Sequence, residues 1–186
     1  MRIVGGEFRG RALVSVGKGD EKNHLRPTTD RVRESLFNVL EHGDFPEFEG
    51  ARVLDLFAGT GALGLEALSR GASHVTFVEK GRVGQQIIRK NIEQLQCVSR
   101  SKLLTKDATK LGENQGEPID IVFLDPAYGK GLGERALSAA LKHKWLQNQS
   151  LIVLEEGQEI ALPSEFVLKD MRKYGDTHVH LANLRV

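Results

Sequence analysis

The chain has 186 residues, of which 40% are hydrophobic and 27% are charged, as in an ordinary globular protein. Its single cysteine, Cys97, excludes an intramolecular disulfide and a cysteine-based zinc site. No apolar run reaches the ~20 residues of a membrane helix, and residues 1–7 lack the apolar core of a secretory signal. We therefore expect a cytoplasmic protein with one domain over residues 1–186.

The formal net charge is +1, but the charges are unevenly distributed. Residues 1–33 contain eight Lys or Arg and four Asp or Glu, a balance of +4 against −3 for the rest of the chain. A basic terminal segment favours a polyanionic partner at that end. Scattered charge on a solvated surface fits the same counts equally well.

The first forty residues predict an arm followed by a helix. Short β-prone pieces broken by glycines in residues 1–16 indicate a small hairpin or arm outside the main sheet, and residues 17–27 resemble a loop. We treat residues 1–25 as one basic arm and loop. A helix begins at residues 28–30, with Glu34 at capping-box distance. Its predicted apolar stripe is Val32, Leu36, Val39 and Leu40.

The segment around which the chain is organised is residues 52–64, a buried strand followed at once by glycines and a helix. Gly59, Gly61 and Gly64 match the dinucleotide pattern G-x-G-x-x-G, and Glu79 lies twenty residues past Gly59 at a second strand end. The same turn followed by an acid also binds the ribose of S-adenosylmethionine. This motif alone leaves NAD and S-adenosylmethionine both open.

After this unit, strands and helices alternate. Further strands are predicted at 74–79, 102–105, 119–124 and 150–155, and helices at 83–95 and 134–146. Two last β segments, 166–168 and 177–181, read as a hairpin on the sheet edge. Such alternation predicts a mostly parallel sheet with right-handed crossovers and helices on both faces.

Four acids stand at predicted strand ends, where ligands bind in such sheets. They are Asp55, Glu79, Asp107 and Asp125. Glu79 could accept two hydrogen bonds from a ribose diol, and Asp107 could accept one from an adenine amino group. Their repetition at successive strand ends favours a ligand site over solvated loop carboxylates.

The tetrapeptide Asp125-Pro126-Ala127-Tyr128 directly follows the fourth strand. Proline restricts the residue before it and removes a backbone donor, so carbonyl oxygens there can point into the site. A carboxylate with nearby carbonyls suits a planar exocyclic amino group, and a tyrosine ring provides a face on which a base can stack. In isolation an Asp-Pro turn with a core tyrosine would explain the tetrapeptide equally well, but its position directly after the fourth strand favours a ligand site.

Taken together, these motifs resemble the class I S-adenosylmethionine-dependent methyltransferases that modify exocyclic amino groups of bases, whose signature is [DN]-P-P-[YF]. The segments 2–11 and 26–38 are similar to the RsmD family, the bacterial 16S ribosomal RNA (guanine-N(2))-methyltransferases named for guanine 966. One departure is Ala127, which stands where the family usually has a second proline and gives a less stiff loop.

The resemblance implies a Rossmann-like fold with a seven-stranded sheet whose last strand is antiparallel, and S-adenosylmethionine as the cofactor. It implies methyl transfer to a guanine 2-amino group of 16S rRNA, in a small-subunit particle, by a monomer that needs no metal. The implied cofactor-binding residues are Asp55, Phe57, Gly59, Gly61, Glu79, Lys80, Asp107 and Ala108. The catalytic set is Asp125, Pro126, Ala127 and Tyr128. The residues expected to contact RNA are Arg9, Arg11, Arg26, Thr28, Arg31 and Lys130.

Other interpretations remain open at this point. Adenine-N(6) methylation of DNA or RNA uses a similar tetrapeptide. An NAD-dependent oxidoreductase would share the glycine loop, although no hydride-transfer constellation is evident. A nucleic-acid-binding module without catalysis is hinted at only by Ala127. Among the remaining residues, we expect His178 and His180 at the surface or the sheet edge, and Trp145 and Cys97 in packing roles.

Overall fold

A computed structural model describes residues 1–15 and 29–185. The predictions for Arg26 and Thr28 lie outside these residues. The helices are α1 (Asp30–His42), α2 (Ala62–Ser69), α3 (Arg82–Leu95) and α4 (Leu132–Lys142). The strands are β1 (Arg52–Leu56), β2 (His74–Val78), β3 (Ser101–Leu104), β4 (Ile119–Leu124), β5 (Leu146–Glu156), β6 (Phe166–Tyr174) and β7 (Thr177–Leu184). Short 3₁₀ turns occupy Val98–Arg100 and Ala108–Lys110.

The seven strands form one sheet in the order β3-β2-β1-β4-β5-β7-β6. Strands β1 to β5 pair in parallel, whereas β7 is antiparallel to both of its neighbours, β5 and β6. This arrangement confirms the predicted mostly parallel sheet with an antiparallel last strand and an edge hairpin. The strand order reverses between β1 and β4, which is where such sheets bind ligands.

Two apolar layers cover the two faces of the sheet. Along β1, Val53 belongs to one layer and the adjacent Leu54 to the other, and both are fully buried. Helices α1, α2 and α3 pack with residues 1–15 on the first face, and α4 packs on the second. The helices therefore lie on both faces, as predicted, because every central strand is apolar on both sides.

Thr29 caps the N-terminus of helix α1, and its hydroxyl accepts a hydrogen bond from the N–H of Val32 (3.3 Å). Its buried face differs from the predicted stripe, since Arg33 and Phe37 are buried with Leu36 and Leu40 while Val32 and Val39 are only partly buried. Positions 33, 36, 37 and 40 follow helical spacing. Because position 33 is an arginine, the pattern of hydrophobic residues did not reveal this buried face.

Arg33 is buried because an ionic network accompanies it into the core. Its guanidinium donates to Asp30 Oδ1 (2.9 Å), and its Nε lies 3.5 Å from Glu66 Oε2. Glu66, itself fully buried in α2, also accepts from Arg70 Nε (3.0 Å). Buried charges persist only when they are paired and hydrogen-bonded in this way.

The first fifteen residues form the predicted arm, held outside the main sheet by α2 and α3. An isolated antiparallel bridge joins Arg2 to Ala12. The N–H groups of Val4 and Gly5 donate to the two carboxylate oxygens of Glu66, at 2.9 and 2.8 Å. On α3, Asn91 accepts from the N–H of Val14 at 2.7 Å and donates to its carbonyl at 3.1 Å. Helices α2 and α3 thus hold the arm through its backbone.

Two sequence-based predictions need correction. The helix predicted over 134–146 ends at Lys142, because Lys144 has a positive φ of 59° and Leu146 already belongs to β5. The N–H of Ile119 donates to the carbonyl of Trp145 (2.9 Å), which draws this segment to β4. His180, expected at the surface or edge, is fully buried because β7 lies between β5 and β6.

No helix in the described ranges 1–15 and 29–185 is long and apolar enough to cross a membrane.

Candidate active site

The carboxyl ends of the central strands are level at one edge of the sheet. Leu56 of β1 pairs with Val78 of β2 and with Leu124 of β4, and Leu124 pairs in turn with Leu154 of β5. The residues that follow these positions therefore lie side by side. This register brings Glu79 and Asp125 to the same end of the sheet as Gly59 and Gly61, which follow β1.

Residues 57–61, here called the glycine loop, connect β1 to α2. Gly59 and Gly61 have positive φ values of 55° and 77°, which glycine adopts without the strain of a Cβ. The neighbouring Asp55 side chain is 2% exposed, and its Oδ2 accepts from the N–H of Gly64 (3.0 Å). Burial raises the pKa of Asp55 well above its ordinary value, and the negative charges of Asp125 and Glu79 act in the same direction.

Glu79 holds the glycine loop from the end of the neighbouring strand, β2. Its Oε2 accepts from the N–H of Gly59 (2.9 Å), and its Oε1 accepts from the N–H of Gly81 (2.5 Å). Both oxygens of the carboxylate are therefore engaged by protein, although each keeps a lone pair for a further donor. The spacing motif predicted a ligand contact for Glu79, but it gave no sign of this loop-holding role.

Asp107 follows β3 and begins the short turn Ala108–Lys110. Its Oδ1 accepts from the N–H (2.9 Å) and the hydroxyl (2.7 Å) of Thr109, and Lys80 Nζ lies 3.4 Å from its Oδ2. Burial opposes ionisation, but the Thr109 hydrogen bonds and the Lys80 ammonium outweigh it and lower the pKa of Asp107. Asp107 is thus an ionised acceptor at neutral pH, with Ala108 buried beside it.

Residues 125–128, here called the catalytic loop, leave β4 next to the glycine loop. Pro126 is buried, Ala127 is partly buried, and the Tyr128 side chain is 37% exposed. The Tyr128 hydroxyl lies 3.1 Å from Thr177 Oγ1, and a Cβ on Gly157 would come within 2.8 Å of the ring. Burial raises the pKa of Tyr128 to about 12, so the phenol stays neutral. The ring therefore has a fixed position and an exposed surface.

Asp125 is partly buried, and its carboxyl is the most unusual group of the loop. Burial, followed by the negative charge of Glu156, raises the pKa of Asp125 from 3.8 to about 7. Glu156 ends β5 and is 2% exposed, and its Oε2 accepts from the N–H groups of Gly129 and Gly157, both at 3.1 Å. Sequence reasoning missed Glu156, although two successive acids ending an apolar strand were a visible signal.

The residues predicted to contact RNA are spread over the surface. Lys130 is exposed two residues beyond Tyr128, Arg31 is exposed on α1, and Arg9 is exposed on the arm. Arg11 is exposed too, but its guanidinium donates to the Gln94 carbonyl and lies 5.7 Å from the centre of the Phe8 ring. Of these four residues, Lys130 is the nearest to the catalytic loop in the sequence.

Among the described residues, no group of three or more His, Cys, Asp or Glu could hold a metal ion. The groups described above at this end of the sheet are carboxylates, the backbone N–H groups that they accept from, and the Tyr128 ring.

Comparison with known proteins gives consistent matches along the chain. The family model described as "Conserved hypothetical protein 95" matches residues 1–183. Ribosomal RNA small subunit methyltransferase D of Escherichia coli is 40% identical over 164 residues, covering 88% of this chain and 78% of that protein. The protein of the same name from Haemophilus influenzae is 39% identical over 158 residues, covering 83% of this chain and 78% of that protein.

Solved structures agree with these relatives. The Escherichia coli protein yhhF matches with a TM-score of 0.84 and 34% identity, covering 100% of this chain and 98% of that chain. A hypothetical protein of Thermus thermophilus matches with a TM-score of 0.73 and 27% identity, covering 100% and 99%. With a family match over residues 1–183 and relatives of this similarity, the chain belongs to the RsmD family of ribosomal RNA small-subunit methyltransferases.

Proposed function

We propose that this protein transfers a methyl group from S-adenosylmethionine to the exocyclic 2-amino group of a guanine in 16S ribosomal RNA. The observation that carries the proposal is the catalytic loop leaving β4 directly beside the glycine loop leaving β1, at the reversal of strand order. Family membership supports ribosomal RNA as the substrate class. The guanine target follows the family resemblance of the N-terminal motifs.

The residues at this edge fit S-adenosylmethionine. Gly59 and Gly61 give the loop the positive φ values of its tight turn, Phe57 is its first residue, and Asp55 lies two residues before it. Glu79, with Lys80 next to it, has lone pairs left for the ribose hydroxyls. Oδ2 of Asp107 could accept from the adenine amino group beside Ala108. When bound, the cofactor supplies an electrophilic methyl group on a sulfonium.

The catalytic loop would prepare the attacking nitrogen. The lone pair of a guanine 2-amino group is delocalised into the ring, which makes it a poor nucleophile. By accepting its two hydrogens, the Asp125 carboxylate and the Pro126 carbonyl would favour a more tetrahedral nitrogen aimed at the methyl group. Positioning and fixed dipoles account for most of the acceleration in this scheme.

Asp125 is also suited to remove the proton that the methylated nitrogen must lose. A base works best when its pKa lies near the working pH, and the pKa of Asp125 is about 7. Tyr128 would stack on the target base, an interaction typically worth about 1–3 kcal/mol. Its neutral hydroxyl stays bound to Thr177.

RNA outside the target base would meet the exposed cations Arg9, Arg11, Arg31 and Lys130. Arg9 and Arg11 are proposed from the basic charge of the N-terminal segment, and Arg26, Thr28 and Arg31 from the family resemblance. Residues 1–25 would then be the RNA-facing arm of a single domain that acts as a monomer. Phosphate contacts of this kind give affinity and orientation but carry no base specificity.

The test is transfer of tritiated methyl groups from S-adenosylmethionine to isolated small-subunit particles, followed by nucleoside analysis. We expect labelled N(2)-methylguanosine. Labelled N(6)-methyladenosine would overturn the guanine assignment. Calorimetric binding of NAD without binding of S-adenosylmethionine would overturn the reaction class. Free 16S rRNA, assayed in parallel, tells whether assembled particles are required.

A further inference from the structure

The end of β5 contains a buried acid that is hydrogen-bonded to the residue directly after the catalytic loop. Glu156 is 2% exposed, and a single carboxylate oxygen, Oε2, accepts from the N–H of Gly129 and from the N–H of Gly157. Gly129 directly follows Tyr128, and Gly157 lies against the Tyr128 ring. Glu156 therefore ties the exit of the catalytic loop to the strand that neighbours β4.

We infer that Glu156 is a positioning residue for methyl transfer, holding the exit of the catalytic loop and opposing the negative charge of Asp125. This inference rests on the proposed function and deepens it. It assigns to a residue outside the tetrapeptide the task of keeping Asp125 and Tyr128 in place.

The positional part of the argument comes from what surrounds Gly129. The residue has a positive φ of 71°, and a Cβ built on it would meet no atom within 4 Å. Packing therefore does not restrain it, and its hydrogen bond to Glu156 does. The start of the loop is fixed by β4 through the pairing of Leu124 with Leu154. With Ala127 in place of a second proline, the loop has one residue of fixed φ instead of two. Its conformation therefore depends more on the hydrogen bond at its exit.

The electrostatic part concerns the charges around Asp125. The charge of Glu156 acts on Asp125, the charge of Asp125 acts in turn on Asp55 and on the Tyr128 phenol, and the buried Glu155 acts on the same phenol. Glu156 pairs across the strands with His178 on β7, and its negative charge also acts on His180 of the same strand. A negative charge on Glu156 disfavours a second one on Asp125.

This charge arrangement suits the proton balance of the reaction. The nitrogen–carbon bond forms as the carbon–sulfur bond breaks, the sulfur keeps the electron pair of that bond, and the nitrogen becomes positively charged. The nitrogen then releases a proton, which the Asp125 carboxylate takes up. Glu156 makes Asp125 a stronger base for that proton while remaining hydrogen-bonded to the loop.

Two variants separate the positional and electrostatic roles. Glu156→Gln removes the charge but offers one carbonyl oxygen that can accept from both N–H groups. Glu156→Leu removes the charge and the acceptor together. The matched control is Glu159→Gln, which removes an exposed negative charge three residues further along the chain. Thermal unfolding of each variant reports whether it is folded.

The measurements are the pH profile of methyl transfer to small-subunit particles, calorimetric affinity for S-adenosylmethionine, and titration of the Asp125 carboxyl by carbon-13 NMR. For Glu156→Gln we expect the acid limb of kcat/KM and the Asp125 titration to move to lower pH. For Glu156→Leu we expect kcat to fall by on the order of 10²-fold, as for a displaced catalytic group, with cofactor affinity unchanged. Glu159→Gln should match the wild type.

An Asp125 titration that is the same in Glu156→Gln and in the wild type would overturn the electrostatic role. Wild-type kcat in a folded Glu156→Leu would overturn the positional one. If Glu156→Leu does not fold, the cofactor-saturated kcat of Glu156→Ala decides in the same way. Absence of methyl transfer by the wild type would be a failure of the proposed function instead, and the NMR titration, which needs no substrate, would still decide whether Glu156 acts on Asp125.

Discussion

The two loops at the carboxyl edge of the sheet are built on the same plan. Each follows a central strand, and each is held by a glutamate from the end of the adjacent strand. Glu79 binds the N–H of Gly59 and Glu156 binds the N–H of Gly129, and each also binds the N–H of a glycine just after itself. A carboxylate at a strand end is thus used twice to shape a neighbouring loop.

The loops differ in how much of their shape depends on that carboxylate. The glycine loop is mostly buried, and the helix that follows it is packed so closely that a Cβ on Gly64 would stand 2.5 Å from the Phe77 ring. The exit of the catalytic loop is exposed at Gly129 and Lys130, with open space around Gly129. A small cofactor can be met by a preformed, enclosed loop, whereas a polynucleotide needs an open approach. We therefore expect substitutions on the two sides to have different consequences.

The largest expected effect is at the head of the catalytic loop. Asp125→Ala should lower the turnover rate by the ~10²–10⁴-fold typical of proton-handling groups, with cofactor affinity largely retained. Single-turnover methyl transfer and calorimetry measure the two quantities. Asp44→Ala, an exposed carboxylate in the turn after α1, is the control. Full activity of Asp125→Ala would contradict the assignment of catalysis to the catalytic loop and of cofactor binding to the glycine loop.

The next effect is at Glu79. Glu79→Ala should weaken binding of S-adenosylmethionine by the ~1.5–3 kcal/mol typical of hydrogen bonds to a charged group, while kcat at saturation changes less. Glu79→Gln should also weaken binding, because Glu79 uses both oxygens and the amide nitrogen cannot replace one of them. Glu156 accepts both of its hydrogen bonds through one oxygen, so Glu156→Gln should keep its loop contacts, whereas Glu79→Gln should lose one of them. Calorimetry with Glu93→Ala, an exposed acid on α3, as the control gives the comparison. Equal affinity in wild type and Glu79→Ala would remove Glu79 from the ribose site.

The third prediction uses two glycine substitutions to compare how tightly the two loops are packed. Gly64→Ala forces a Cβ against Phe77 and Val75 and should cost about 1–3 kcal/mol of unfolding free energy through overpacking. Gly129→Ala meets no atom and should cost only the strain of a positive φ, about 1 kcal/mol. Chemical denaturation of both variants measures the difference. A larger loss for Gly129→Ala would reverse the proposed contrast between an enclosed and an open loop.

The smallest effect concerns RNA held outside the two loops. Each lost phosphate contact should flatten the slope of log affinity against log salt by roughly 0.7 on single-stranded RNA. Replacing Arg9 and Arg11 together should flatten it, and Arg9→Ala alone should account for most of the change because Arg11 is engaged by Gln94 and Phe8. Lys144→Ala, which removes an exposed lysine between α4 and β5, is the control, and cofactor affinity should not change. An unchanged slope in the folded double variant would mean that the arm only packs on α2 and α3.

Much of the fold could be read from local patterns. Helix α3 was predicted to within one residue, and β4 over its full extent, because helical periodicity and a continuous apolar run are strong signals. The boundary between α4 and β5 was misplaced, since Trp145 and Leu146 continue the helical pattern while pairing beside β4 draws them into extended structure. The stripe of α1 was misread for a related reason, because Arg33 is a core residue only in the presence of Glu66.

The order of the motifs along the chain was enough to indicate the alternating α/β architecture, the proposed ligand-binding end of the sheet and the family, because glycine turns, Asp-Pro turns and acids at strand ends are local features. Long-range packing was required to show that Glu156 reaches Gly129, 27 residues away, and that Arg33 is buried beside a glutamate 33 residues further on. A buried polar group is stable only after its partner has folded around it, so its location depends on contacts between distant segments rather than on the residues next to it.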